Sequence, residues 1–98
     1  SGVRSLPRGM RDIRDIGADE AALVMNLRPI AYRSKIETDG PREFLGLIAE
    51  EVAEVDPRLV HFKDGAPDGV MYDRITVGLL ALVKELREEL DALKAKVH

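Results

Sequence analysis

From Leu79 onward the chain repeats an aliphatic residue at alternating steps of four and three: Leu79, Val83, Leu86, Leu90, Leu93 and Val97. A mean spacing of about 3.5 residues specifies a helix whose seam faces other helices, because that period keeps one apolar stripe aligned along a supercoil. Val83, Leu90 and Val97 take the first core position of the repeat, and Leu79, Leu86 and Leu93 take the second. Glu89 and Lys94 flank the seam five residues apart, so in a parallel coil Glu89 of one chain meets Lys94 of its neighbour. Their opposite charges favour the parallel, in-register arrangement. The stretch 75–97 therefore reads as a self-association helix. Valine at one core position and leucine at the other leave dimer and trimer close in energy.

Such a helix is not stable by itself, since helical stability in proteins comes mostly from packing an apolar face. Leu80 and Leu82 widen that face near the helix start. This half is expected to dock on a folded body while the far half pairs with copies of itself. The plainer alternative is one amphipathic helix lying on its own domain.

A length of 98 residues allows one small domain with a modest core. With two tyrosines, two phenylalanines and no tryptophan, aliphatic packing must supply that core. A net charge of −3 gives no overall attraction to nucleic acid or anionic membrane. The absence of cysteine excludes a disulfide framework and a thiolate zinc site. No signal peptide or membrane span is apparent, so a soluble chain that folds inside a cell is expected.

Residues 1–17 hold Arg4, Arg8, Arg11 and Arg14 among Pro7, Gly9 and Gly17, which reads as an irregular basic arm. No aromatic residue is interleaved for base stacking, and nucleic-acid binding is not expected. Asp19 is placed to cap a short helix ending before Pro29, with Leu23, Val24 and Leu27 on its buried face. Residues 30–36 alternate as a strand, Asp39-Gly40-Pro41 turns the chain, and 43–48 returns as a second strand. Gly46 within it signals a bulge or a close backbone approach. A second short helix spans 49–55 and stops at Asp56-Pro57. Strands at 60–62 and 70–72 enclose a loop with Asp64-Gly65 and Pro67-Asp68-Gly69, and Asp73 then caps the long helix.

Little catalytic chemistry is on offer. His61 and His98 lie far apart, and no metal site or cofactor is expected. No glycine-rich loop joins a strand to a helix for phosphate binding. Glu50, Glu51 and Glu54 read as a solvated helix face, with Glu51 the one to test. Ser5 needs a nearby base to act as a nucleophile, yet no lysine precedes Lys35.

Several segments in order resemble the C-terminal intramolecular chaperone and auto-processing domain of endosialidases and other phage tail spikes and fibres. Leu27-Arg28-Pro29-Ile30-Ala31-Tyr32-Arg33-Ser34-Lys35 looks like that family's Leu-Arg-Pro-Val-x-Phe-x-x-Lys stretch. Gly46-Leu47-Ile48-Ala49-Glu50-Glu51-Val52 is similar to its Gly-Leu-Ile-Ala-Gln-Glu-Val signature, with Glu50 in place of glutamine. Pro57-Arg58-Leu59-Val60, Tyr72-Asp73-Arg74-Ile75 and the closing leucine-rich helix follow in the family's order. The resemblance implies a homotrimer that registers the upstream fibre or spike domains of its parent chain during folding and is then cut off. On the heptad reading, association runs through Leu79, Val83, Leu86, Leu90, Leu93 and Val97, with Glu89 and Lys94 setting register, and Glu51 and Arg74 are expected as local polar anchors.

The family's cutting motif reads Ser-Asp-x-Arg-Leu-Lys-x-x-Ile, with serine as nucleophile and lysine as base. Ser5, Arg8 and Ile13 match it in register, while Leu6, Gly9 and Met10 replace the aspartate, leucine and lysine. A thioether accepts no proton at useful pH, so Ser5 reads as vestigial. A natural non-cleaving member, an inactivated variant and rescue by another lysine such as Lys35 all fit, and the non-cleaving reading is preferred. The rivals are an active serine auto-endopeptidase that releases itself before Ser5 and a permanent oligomerisation cap.

The expected architecture is α+β: short antiparallel strands, two short helices and a long C-terminal coiled-coil helix, trimeric. Residues 1–17 form the arm with the remnant motif, and 18–98 form the chaperone domain ending in a trimerisation helix at 74–97. The expected location is the host cytoplasm during assembly, then the virion tail if no cleavage occurs, with no membrane contact.

Overall fold

The computed structural model describes residues 8–97, so Ser5, at the head of the remnant cutting motif, lies outside the described residues. The fold is α+β, with two antiparallel hairpins, two short helices and one long C-terminal helix.

Residues 8–17 are irregular, as the glycine and proline content of the arm dictates. Helix α1 (Ala18–Ala22) runs into a 3₁₀ turn at Leu23–Asn26. Its N-cap is Gly17, two residues ahead of the expected Asp19, because the Glu20 carboxylate reaches back to accept the Gly17 N–H at 3.3 Å. That contact satisfies a free donor which a cap at Asp19 would have left open. Leu27, which ends that turn, is extended, and Pro29 keeps Arg28 after it out of the helical region.

Strand β1 (Ile30–Arg33) pairs antiparallel with β2 (Glu43–Gly46), Ile30 opposite Gly46 and Tyr32 opposite Phe44. β1 is shorter than its alternation suggests. Ser34 Oγ binds Asp39 Oδ2 at 2.5 Å and accepts the Ile36 N–H, closing a local turn that replaces ladder bonds. Tyr32 and Phe44 stack at 5.7 Å, and the Arg42 guanidinium lies 4.6 Å above the Phe44 ring. Helix α2 (Ala49–Val55) has the expected bounds.

Strands β3 (Val60–Lys63) and β4 (Ala66–Val70) form a tighter hairpin than the loop read from sequence. Asp64 (φ 53°) and Gly65 (φ 79°) make a two-residue turn of the mirror type that suits right-handed strand twist. Pro67, Asp68 and Gly69, expected in the loop, belong to β4. His61 faces Gly69 and Phe62 faces Pro67, so Asp68 is the extra residue of a bulge, which accommodates a proline beside it. Tyr72, expected in a strand, opens helix α3 (Tyr72–Val97), and Asp73 lies in its first turn, not at the cap.

The core is small. Ala21 of α1, Val52 of α2, Val60 of β3, and Ile75 and Leu82 of α3 are its buried apolar side chains. Two glycines permit the close contacts around it. A Cβ at Gly46 would sit 2.9 Å from the Tyr72 hydroxyl, which accepts the Leu47 N–H at 3.0 Å and ties the root of the β1–β2 hairpin to α3. A Cβ at Gly78 would sit 2.8 Å from Cγ2 of Val24, a branched side chain with little rotamer freedom. Gly78→Leu is therefore expected to destabilise the fold by about 1–3 kcal/mol through overpacking. Better helix propensity returns only about 1 kcal/mol. A raised urea midpoint for this variant would contradict the close approach.

Candidate functional site

Helix α3 presents three faces. Ile75, Gly78 and Leu82 pack against α1 and the 3₁₀ turns that follow α1 and α2. Sequence reading assigned both Leu80 and Leu82 to this docking, but only Leu82 docks, at 7 % exposure against 61 % for Leu80. The helical rotation between the two residues explains the split, because two steps turn Leu80 to the far side. The seam residues Leu79, Val83, Leu86, Leu90, Leu93 and Val97 are all exposed. Glu89 and Lys94 have no ion-pair partner among the described residues, whereas Arg87 pairs with Asp91 one turn on.

The chain is open for its size. Its accessible surface is 8566 Å², against roughly 5,600 Å² for a compact folded monomer of its mass. Its radius of gyration is 18.2 Å, against about 13 Å expected. A contiguous aliphatic stripe left in water is unusual for a self-sufficient domain, which normally limits such patches.

At the junction of arm and body, Glu20 gathers three elements. Arg14 of the arm forks onto it at 2.7 and 2.9 Å, and Arg58 reaches it at 3.0 Å. Arg58 also forks onto the buried Asp56 at 3.0 and 2.8 Å, while Asp56 accepts the Arg58 N–H at 3.0 Å. Arg74 donates to the Arg58 carbonyl at 3.1 Å, and beside it lies an apolar cleft of about 340 Å³ between α1, α3 and the turn at Pro57–Leu59. Sequence reading missed this cluster. Asp56 before Pro57 carried a local signal, a capping aspartate ahead of a proline suited to the first turn. The Glu20–Arg58 contact carried none, since its partners are distant in sequence.

Hydrogen bonds from Arg14, then Arg58 and the Gly17 N–H, hold the Glu20 carboxyl down at about 2. Asp56 is lowered as well, chiefly by the Arg58 side chain. Groups ionised so firmly are poor proton carriers at neutral pH. Their contribution is structural. Both native values lie below the unfolded ones, so the unfolded chain takes up protons first on acidification. Stability is expected to be fully present above about pH 5 and to fall as pH drops toward about 2. Urea titrations across that range check this, with Glu20→Gln flattening the slope.

Glu51 and Arg74 sit apart. Glu51 receives a forked pair from Arg28 at 3.0 and 2.6 Å, joining α2 to the segment before β1, while Arg74 holds the Arg58 carbonyl. The Arg28 pair lowers the Glu51 carboxyl. Met10 and Lys35 are both exposed. Among the described residues no helix is long and apolar enough to cross a membrane.

Two short hairpins and two short helices gathered at the start of a long helix, whose remainder beyond Leu82 is bare, define a module with an unpartnered helical face. The family described as the chaperone of endosialidase matches residues 11–61, from the arm to β3. The chain belongs to that family, the intramolecular chaperone domain of phage tail proteins. Helix α3 lies beyond the matched segment. None of the curated proteins compared matches the chain.

Proposed function

We propose that the chain is the C-terminal intramolecular chaperone of a phage tail fibre or spike, acting as a parallel homotrimer that registers the upstream domains of its parent chain. The bare seam of α3 is the single observation that carries this reading. Leu79, Val83, Leu86, Leu90, Leu93 and Val97 form the association surface, and Glu89 with Lys94 of the next chain sets the register. Residues 18–98 are the chaperone unit, and 1–17 are the arm that leads to the client. Glu51 and Arg74 act as polar anchors within each copy.

The physical task is kinetic. Interwoven β fibres fold slowly because their contacts are non-local and intermolecular. A module that gathers three chains raises the effective concentration of the segments ahead of it. The work is done in the host cytoplasm during assembly, and the domain stays on the virion tail, since Met10 leaves Ser5 without its base.

Sedimentation equilibrium on the 98-residue chain is expected to return a trimer; a monomer at tens of micromolar would overturn the reading. In a fusion to the parent fibre, the natural sequence is expected to stay intact. Met10→Lys is expected to yield a cut before Ser5, read by mass. Cutting of the unaltered fusion would favour the active endopeptidase, and normal fibre folding after deletion of the domain would favour the permanent cap.

A further inference from the structure

The trimer proposed above leaves one apolar surface unassigned. With Val83 and Leu90 in the first core position, Leu80, Arg87 and Lys94 flank the seam on one side, and Ile75, Leu82 and Glu89 on the other. Next to the first flank, further from the seam, stand Val77, Lys84 and Asp91. These outer positions are apolar only at Val77 and Leu80, both exposed, and charged farther down. The apolar pair lies at the height of Ile75 and Leu82, where α3 carries its own body.

In a parallel coil each residue of one flank faces the residue five positions later on the opposite flank of the neighbour. The offset that brings Glu89 to Lys94 also brings Ile75 to the neighbour's Leu80. Ile75 is buried at 6 % in its own body, so that body stands beside the neighbouring Leu80. Of the elements packed on α3, the large apolar side chain left exposed is Met25, at 70 %, next to the Val24 that touches Gly78. Val77, Leu80 and Ile16 form the apolar side of an open cleft of about 490 Å³, and Asp15, Lys84 and Glu88 form its charged side. An unbranched thioether side chain suits the irregular apolar side of this cleft.

We propose that in the assembled trimer Met25 of each copy fills the cleft at Val77 and Leu80 of the next, so that each body bridges two helices. The proposal rests on the parallel trimer and goes beyond it by assigning the body a share of the interface. It accounts for part of the surplus surface. That surplus is about 3,000 Å² per chain, and two interfaces of ordinary size cover only about 1,600 Å² of each subunit. The contact runs head to tail around the three-fold axis, so it closes into a ring.

The chain has no cysteine, which makes site-directed linking unambiguous. A Met25→Cys/Leu80→Cys double variant of the full chain, treated with a short bismaleimide, is expected to give a covalent trimer on a denaturing gel, with neither single variant doing so. Leu80→Lys is expected to weaken trimer association by about tenfold or more while leaving the helical content of the dilute chain unchanged. A trimer in which the two cysteines stay unlinked, or link within one chain, overturns this contact alone, as does unaltered association in Leu80→Lys. A monomeric natural chain overturns the trimer and this contact with it.

Discussion

Leu90→Asp is expected to convert the trimer to monomers at micromolar concentration. Leu90 is exposed in the single chain, so the substitution removes nothing from its core. In a parallel three-stranded seam it would set three carboxylates around one axis. Each copy loses about 2 kcal/mol of leucine burial. Each also gains a desolvation cost of several kcal/mol, with like-charge repulsion added. The sum exceeds the roughly 8 kcal/mol that separates micromolar association from none. Light scattering would record the fall in mass, and far-ultraviolet dichroism would show the body still folded. Retention of mass by the variant, together with normal maturation of its client, would end the case for this seam.

Leu82→Ala, about two turns upstream on the same helix, is expected to act in the opposite way. Leu82 is buried between α3 and the body, and truncating a leucine in such a place costs about 2–5 kcal/mol. With five buried apolar side chains among the described residues, the domain has little stability to lose, so the urea midpoint should drop sharply. The helix would survive better than its attachment, and hydrogen exchange should rise first at Val52 and Val60 as the body loosens. Leu86→Ala under dilute conditions should leave that midpoint nearly unchanged. Equal losses from both variants would mean that the seam is also packed within the single chain.

These two leucines mark a division of labour along one helix. The first part of α3 is a beam against which α1 and the 3₁₀ turns after α1 and α2 pack, with α2 and the β3–β4 hairpin packed on each other behind them, while the remainder extends past. The arm is held to the body by the Arg14–Glu20–Arg58 cluster, because Glu20 caps α1 and binds both arginines at once. The arm therefore leaves the body from a fixed point. The trimer proposed above would need that, since a loosely held exit would decouple the order in its coil from the order in the fibre.

Local chemistry made much of this legible before any coordinates. The Asp56-Pro57 pair ended α2 where steric and capping rules require, whereas α1 stopped at Ala22 and passed into a 3₁₀ turn well before Pro29. Gly46 signalled a close approach, and Tyr72 proved to be what approaches. The long helix and its aliphatic seam follow from spacing alone. The error at Asp19 arose because either residue could cap, and the choice fell to a glutamate that also binds two arginines. The misplaced loop at Pro67-Asp68-Gly69 arose because turn-forming residues also make bulges, and only the pairing partner tells the two apart.

The sequence by itself determined the α+β class, the order of the elements and the presence of an aliphatic stripe along the last helix, because these rest on interactions within a few residues or on a repeating period. Only the tertiary structure decided which leucine docks, which carboxylate gathers Arg14 and Arg58, and where glycine is obligatory. Those outcomes depend on how elements distant in the chain are rotated and brought together. A helical period constrains that rotation too loosely to choose between Leu80 and Leu82, which only packing against α1 could separate.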